Sequence, residues 1–301
     1  MEFLELHHQF CEYCRALKNY RPSTLCGYRR TARLFHNFIG DQQLEAITPE
    51  TVTAFFFHGR TQRNWATQTF LDYRKELLVF FRWCLANGYI SRNPMDGLQK
   101  PRLEKRLPRN LTLEQSERLL EITRNLPYSH PFLRARDYAI VAMFIYCGLR
   151  ASELLHLQFA DVNLTNQVLC IREGKGAKDR VVPLPLRLIP TLREYLAERT
   201  RLSKTCPEFF ASFYRNQGFT MSGLKRLVER LKVLSHIPFH VHMLRHTFAT
   251  LMLEGGCDIF ALSKIMGHAD IKTTTIYLGV SIDHLKQAIQ KHPLQSLRAG
   301  S

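Results

Sequence analysis

Negative charge is scarce in this chain. Across 301 residues, Asp and Glu number 26 against 42 Lys and Arg, a formal net charge of +16 with a pI of about 9.7. Such an excess repels itself in a compact protein unless an anion lies against it, so nucleic acid is the expected partner, ahead of a membrane surface. Long apolar runs are missing as well. The longest near-apolar stretch, YAIVAMFIYCGL over 138–149, falls short of the roughly 20 residues a spanning helix needs, which argues against insertion in a bilayer. The opening MEFLELHHQFCEYC carries acid where a secretory signal carries base and then an apolar run. No internal repeat, low-complexity tract or second CxxC is present. The eight cysteines (11, 14, 26, 84, 147, 170, 206, 257) are scattered, and five sit inside apolar helical or strand patterns. Buried thiols of that kind fit a reducing, cytoplasmic setting. Cys11 and Cys14, preceded by His7 and His8, invite a zinc reading, yet a partner pair is lacking. Phe3, Leu6, Phe10, Cys11, Cys14 and Leu17 instead mark one apolar helical face, so no metal is expected there.

The chain does contain enough apolar sequence for two cores. Hydrophobic residues make up 45% and charged residues 23%, a folding composition at two-domain length. The first 98 residues read as four amphipathic helices. One covers Phe3 to Leu17, and a second is capped by Ser23 or Thr24 and ended by Gly40. A third starts at Pro49 behind Thr48, and the longest opens at Thr67 and closes at Gly88. Residues 99–110, QKPRLEKRLPRN, hold Lys100, Arg102, Lys105, Arg106 and Arg109 with two prolines and no apolar periodicity. This linker is either a solvated connector or a strap along a phosphate backbone. Thr112 then caps the first helix of a second domain, 111–301. QVLCIRE (167–173) and RVVPLPL (180–186) flank GKGAKD as a β-hairpin. Helices are expected near 187–202, 220–235, 242–254, 258–266 and 281–290. The fold class is mainly α with a small β element.

Six residues far apart in the chain suggest phosphoryl transfer without a metal: Arg150 in CGLRASELL, Lys175 in EGKGAKDR, His242 and Arg245 in HMLRH, His268 in MGHAD, and Tyr277. A guanidinium offers a planar fork that matches two phosphate oxygens, and two converging forks stabilise the added charge of a pentavalent transition state. A phenol becomes a usable nucleophile when neighbouring cations and a base favour the phenolate. Each residue alone has a plainer reading. An isolated arginine is usually a surface ion pair, and an isolated tyrosine is core or surface. GKGAK lacks P-loop spacing. His242 and His246 have the i,i+4 spacing of a zinc helix, but Met243 stands where a metalloprotease carries glutamate and Arg245 between them repels a cation. His246 is assigned to packing, and no metal or cofactor is expected.

The ordered series GLRASEL, a lysine in a β-turn, HMLRH, MGHAD and a late tyrosine resembles the tyrosine recombinase (phage-integrase-like) family over about residues 107–290, and the helical N-terminal part is similar to that family's SAM-like core-binding domain. The resemblance implies a core-binding domain and a mixed α/β catalytic domain closing on double-stranded DNA as a C-shaped clamp, with the linker residues and Lys178 on DNA. It implies that Tyr277 attacks the scissile phosphate to give a 3′-phosphotyrosyl link, with Arg150 and Arg245 on the non-bridging oxygens. Lys175, or less favourably Lys178, protonates the leaving 5′-oxygen. His242 and His268 assist at the phosphate, and Glu153 orients an arginine or histidine behind them. It further implies a homotetramer passing through a Holliday junction, acting in integration, excision or resolution. The helix at 281–290 is either lent to a neighbour or packed on its own domain. IYLGV after the tyrosine departs from the threonine–histidine pair of many relatives, which touches subfamily rather than chemistry. The chain's size suits a compact, Xer-like or transposon-encoded member acting in the cytoplasm at the nucleoid. A type IB topoisomerase-like enzyme and a non-catalytic DNA-binding regulator are the rival expectations.

Overall fold

The computed structural model describes residues 2–102, 109–172, 179–267 and 272–275. They belong to two compact units, Met1–Lys105 and Arg106–Ser301. The described chain is mainly helical with one small sheet. No helix among these residues is long and apolar enough to cross a membrane.

The first unit contains α1 (Phe3–Leu17), α2 (Pro22–Ile39), α3 (Pro49–Thr61) and α4 (Thr67–Ala86). Thr48 caps α3 by accepting from the Thr51 amide, and Pro49 fills the first helical position, where a missing N–H costs nothing. Gly40, at φ 69°, turns α2 off and donates to His36 O. The start of α2 differs from expectation. Pro22, not Ser23 or Thr24, opens it, with extended Arg21 before it. Proline's fixed φ is already helical, so the helix begins one turn position before the hydroxyls could cap it. The core is built from rings: Phe3 meets Phe80 at 5.4 Å and Phe35 meets Phe55 at 5.0 Å, both edge-on, the arrangement that ring quadrupoles favour. Cys11 and Cys14 are buried in the same face. Leu17, expected there too, is exposed, as is Leu85 of α4. Each sits at the last turn of its helix, beyond the packed stripe.

The second unit begins with α5 (Leu113–Asn125), held by a reciprocal cap. The Gln115 amide donates to Thr112 Oγ1, and Gln115 Oε1 accepts from the Thr112 amide. Helix α6 (Pro131–Cys147) is buried on nearly every face, as an all-round apolar helix must be. The stretch too short for a membrane is thus the central pillar of this unit, flanked by α5, α8 (Ile189–Arg201) and α10 (Val241–Glu254). Short α7 (Ala151–His156) follows α6 after Gly148, a left-handed turn.

The sheet has three antiparallel strands in the order β1 (Val162–Asn163), β2 (Val168–Ile171), β3 (Arg180–Pro183), with Ile171 opposite Arg180. The expected hairpin is therefore shorter than 167–173 and 180–186, and it gains an edge strand. Two residues are too few to show a period-2 pattern, and Pro183 and Pro185 lead β3 into a tight turn at Leu186–Leu188. Helices α9 (Met221–Ser235), α11 (Ile259–Met266) and α12 (Lys272–Thr275) complete the described chain. The helix expected at 281–290 lies outside the described residues. Of the linker cations, Lys100, Arg102 and Arg109 are exposed and outside any helix or strand; Lys105 and Arg106 lie outside the described residues.

Candidate active site

Three elements meet at one carboxylate. Arg150 stands just before α7, Glu153 lies one turn into it, and the turn closes on itself: the Arg150 amide donates to Glu153 Oε2 at 2.8 Å and Arg150 Nη1 to Oε1 at 2.5 Å. From the first position of β3, Arg180 grips the same carboxylate with both fork nitrogens, Nη1 to Oε1 and Nη2 to Oε2, each at 2.8 Å. Arg245, on α10, brings Nη1 to 3.8 Å from Oε2. Glu153 and Arg245 are almost wholly buried, while the Arg150 side chain keeps 22% of its surface open. Arg150 is thus the guanidinium of the group most accessible to an outside anion.

Main-chain carbonyls hold the arginines from behind. Arg245 donates from Nη1 to Gly148 O and from Nη2 to Met266 O, both at 2.7 Å. Arg150 Nη2 reaches Gly267 O at 3.2 Å, and Arg180 Nε reaches Ile265 O at 2.7 Å. Gly148 and Gly267 both adopt left-handed conformations, with φ 61° and 65°, which glycine enters at little cost. A Cβ on Gly148 would lie 2.2 Å from the Phe248 ring, and one on Gly267 would lie 2.8 Å from Arg180 Cδ. The glycines therefore allow both the turn and the close approach.

Electrostatics follow from this packing. Burial opposes ionisation of Glu153, but the hydrogen bonds and charge of Arg180, with those of Arg150, overcome it and hold the carboxyl down to about 2. Three guanidiniums against one carboxylate leave an excess of two positive charges among the described residues of this cluster. The place is built to receive an anion. His240 caps α10, its Nδ1 accepting from the Met243 amide at 3.0 Å. His242 and His246 stand edge to face with ring centroids 4.5 Å apart. His242 is exposed as a residue, yet desolvation of its ring, then the charges of Arg245, His240 and Arg150, lower its pKa. Burial first, then the charges of His242, His240 and Arg245, brings His246 down to about 4. Both imidazoles are neutral at pH 7, able to accept or pass a proton.

The structure brings together Arg150, Glu153 and Arg245, with His242 in their field. Lys175, Lys178, His268 and Tyr277 lie outside the described residues, although Gly267, the neighbour of His268, is part of the cluster. Arg180 escaped the sequence reading. A charged residue opening a strand after a turn looks solvent-facing, and the one available signal was its position beside an apolar VVPLPL run. His240 escaped as well, because histidine is not a residue one expects at a helix cap.

Comparison with known proteins decides the family. Residues 109–284 match the phage integrase family, and residues 6–90 match the phage integrase N-terminal SAM-like domain. The chain belongs to the phage integrase family. Within that family it is a tyrosine recombinase, for it is 34% identical over 289 residues to tyrosine recombinase XerC of Pelobacter propionicus, covering 92% of this chain and 91% of that protein. It is 31% identical to tyrosine recombinase XerA of Pyrococcus furiosus, covering 87% of this chain and 88% of that one. Among solved structures, XerH site-specific recombinase bound to palindromic difH substrate in a post-cleavage complex superposes with a TM-score of 0.74 at 25% identity, covering 95% of this chain and 84% of that chain. The Tn1549 transposon integrase shares the fold, with a TM-score of 0.75 at 19% identity over 97% of this recombinase and 100% of that chain.

Proposed function

We propose that this recombinase cuts and rejoins double-stranded DNA at specific sites, with Tyr277 as nucleophile and Arg150, Arg245, His242, His268 and Lys175 as the groups that activate the phosphodiester. The observation that carries the reading is the cluster itself: among the described residues, two motif arginines from separate elements converge on the one carboxylate of Glu153, and the Arg150 guanidinium keeps 22% of its side-chain surface open. In this scheme Arg150 and Arg245 bind the non-bridging oxygens and stabilise the pentavalent transition state. The phenol oxygen bonds to phosphorus while the bond from phosphorus to the 5′-oxygen breaks. Lys175 supplies the leaving oxygen with its proton, and a neutral His242 or His268 serves the phosphate and the phenol proton. The 5′-hydroxyl of a second duplex reverses the step through a Holliday junction. Bond energy is conserved in the phosphotyrosyl ester, so the cycle calls for no cofactor. Residues 1–98 would be the core-binding domain, 99–110 the basic connection and 111–301 the catalytic domain. Lys100, Arg102, Lys105, Arg106, Arg109 and Lys178 would meet DNA phosphates, and four copies would assemble on two duplexes in the cytoplasm.

The test is covalent capture. The protein is incubated with nicked duplexes of random sequence, and DNA attached to it is recovered and sequenced. Wild type is expected to enrich one site, and Tyr277→Phe to form no adduct while still binding the enriched duplex. Adducts that persist in Tyr277→Phe would remove that tyrosine from its role. Relaxation of supercoiled plasmid irrespective of sequence would favour the topoisomerase-like reading instead.

A further inference from the structure

We propose that Arg180 is a positioning residue for strand cleavage: it fixes Glu153, and through it Arg150, while pinning the end of α11 to the sheet. The inference rests on the functional reading above and adds a residue to it. Every nitrogen of the Arg180 fork is engaged, two on the carboxylate of Glu153 and one on Ile265 O. Its aliphatic stem packs against Gly267, where no side chain would fit. A single side chain therefore ties β3 to α7 and to the turn that precedes His268.

This geometry separates two jobs among the three guanidiniums. Arg180 turns all three of its nitrogens to protein atoms and keeps only 8% of its side-chain surface open. Arg150, by contrast, is held along one edge and keeps part of its surface open. Glu153 alone would hold Arg150 less firmly, because the Arg150 amide fixes only Oε2 and a buried carboxylate resists ionisation. Gripped on both oxygens by Arg180, it is fixed in place and charged. The groups facing it are Arg150 from the start of α7, Arg180 from β3 and Arg245 from α10. Lysine cannot reproduce the grip, since an ammonium has neither the planar fork nor the reach to span two carboxylate oxygens and a carbonyl.

The experiment compares wild type, Arg180→Gln, Glu153→Gln and the double variant on a nicked duplex enriched by the wild-type protein. Adduct rate is followed across pH, together with DNA affinity and the far-UV circular dichroism spectrum. Loss of an orienting partner should lower the adduct rate of Arg180→Gln about 10–100-fold at neutral pH, with DNA affinity little changed. Glu153, released from its partner, should also take up a proton between about pH 4 and 6, adding an acid limb to the rate profile. His240, His242 and His246 are present in all four proteins, so a limb owed to Glu153 must vanish in the double variant, which should be no slower than Glu153→Gln alone. Full-rate cleavage by folded Arg180→Gln overturns the proposal, and so does a pH-independent loss that multiplies with that of Glu153→Gln. Should Arg180→Gln fail to fold, Arg180→Lys is read against the same two criteria. A wild-type protein that forms no adduct defeats the functional reading and this inference together, whereas wild-type adducts with unimpaired Arg180 variants defeat this inference alone.

Discussion

The two units of this recombinase solve the problem of a stable interior in opposite ways. The N-terminal unit fills its centre with rings, Phe3, Phe10, Phe35, Phe56, Phe80 and Phe81 among them, all but excluded from water. The second unit surrounds an aliphatic pillar, α6, and then admits a buried carboxylate and two nearly buried arginines beside it. Ring packing is steered only weakly by its quadrupoles and depends chiefly on volume, so it supports a scaffold. The arginine cluster depends on angle and charge, and burying it is worthwhile only where those are needed for chemistry. One protein can thus hold its two interiors to different physical standards.

Substitution should break this contrast most sharply in the ring core. Phe80→Ala removes a fully buried ring with several aromatic neighbours, and the expected loss is about 3–5 kcal/mol. Both tryptophans, Trp65 and Trp83, lie in the first unit, so tryptophan fluorescence during urea unfolding reads that unit alone. The midpoint should drop, while cleavage by the protein that remains folded keeps its rate. Next in size is Arg245→Lys, which gives up the fork shared by Gly148 O and Met266 O. Adduct formation should slow about 10²–10³-fold, with the tryptophan-monitored transition unmoved. A shift in both readouts for either variant would show the two interiors to be coupled.

Acid sharpens the comparison with a smaller effect. His7 is buried among Phe3, Phe10 and Phe80, and burial, helped by Arg29 and His8, lowers its pKa from 6.5 to about 4. The folded state therefore binds the proton less readily than the unfolded chain. Its contribution is complete above the unfolded pKa and is lost as pH falls from about 6.5 through 4, a total of about 3 kcal/mol. In His7→Phe the tryptophan-monitored stability should fall less over that window than in wild type. Parallel acid profiles for the two proteins would show His7 to be protonated without cost.

How much of this was legible beforehand differs by element. The Thr112 cap, the Thr48–Pro49 start and the Gly40 stop are local events, each decided by the residue that performs it, and the sequence states them openly. Arg150 and Arg245 were legible because their motifs are specific, not because any spacing reveals that they meet. Arg180 was not, since its role depends on a carboxylate 27 positions away and a carbonyl 85 positions away, distances over which no periodicity speaks. Leu17 and the two-residue β1 were misread or missed for a simpler reason. Patterns assume elements of full length, and these lie where elements run out.

The rear wall of the cluster is made of peptide oxygens from Gly148, Ile265, Met266 and Gly267. A peptide oxygen survives any exchange of side chain, so neighbouring positions can drift freely while the guanidiniums stay seated. Only a change in the path of the backbone, by insertion, deletion or loss of either glycine, would unseat them. Diversification of such an enzyme is thereby channelled into the surfaces that choose its target and away from the bond it breaks.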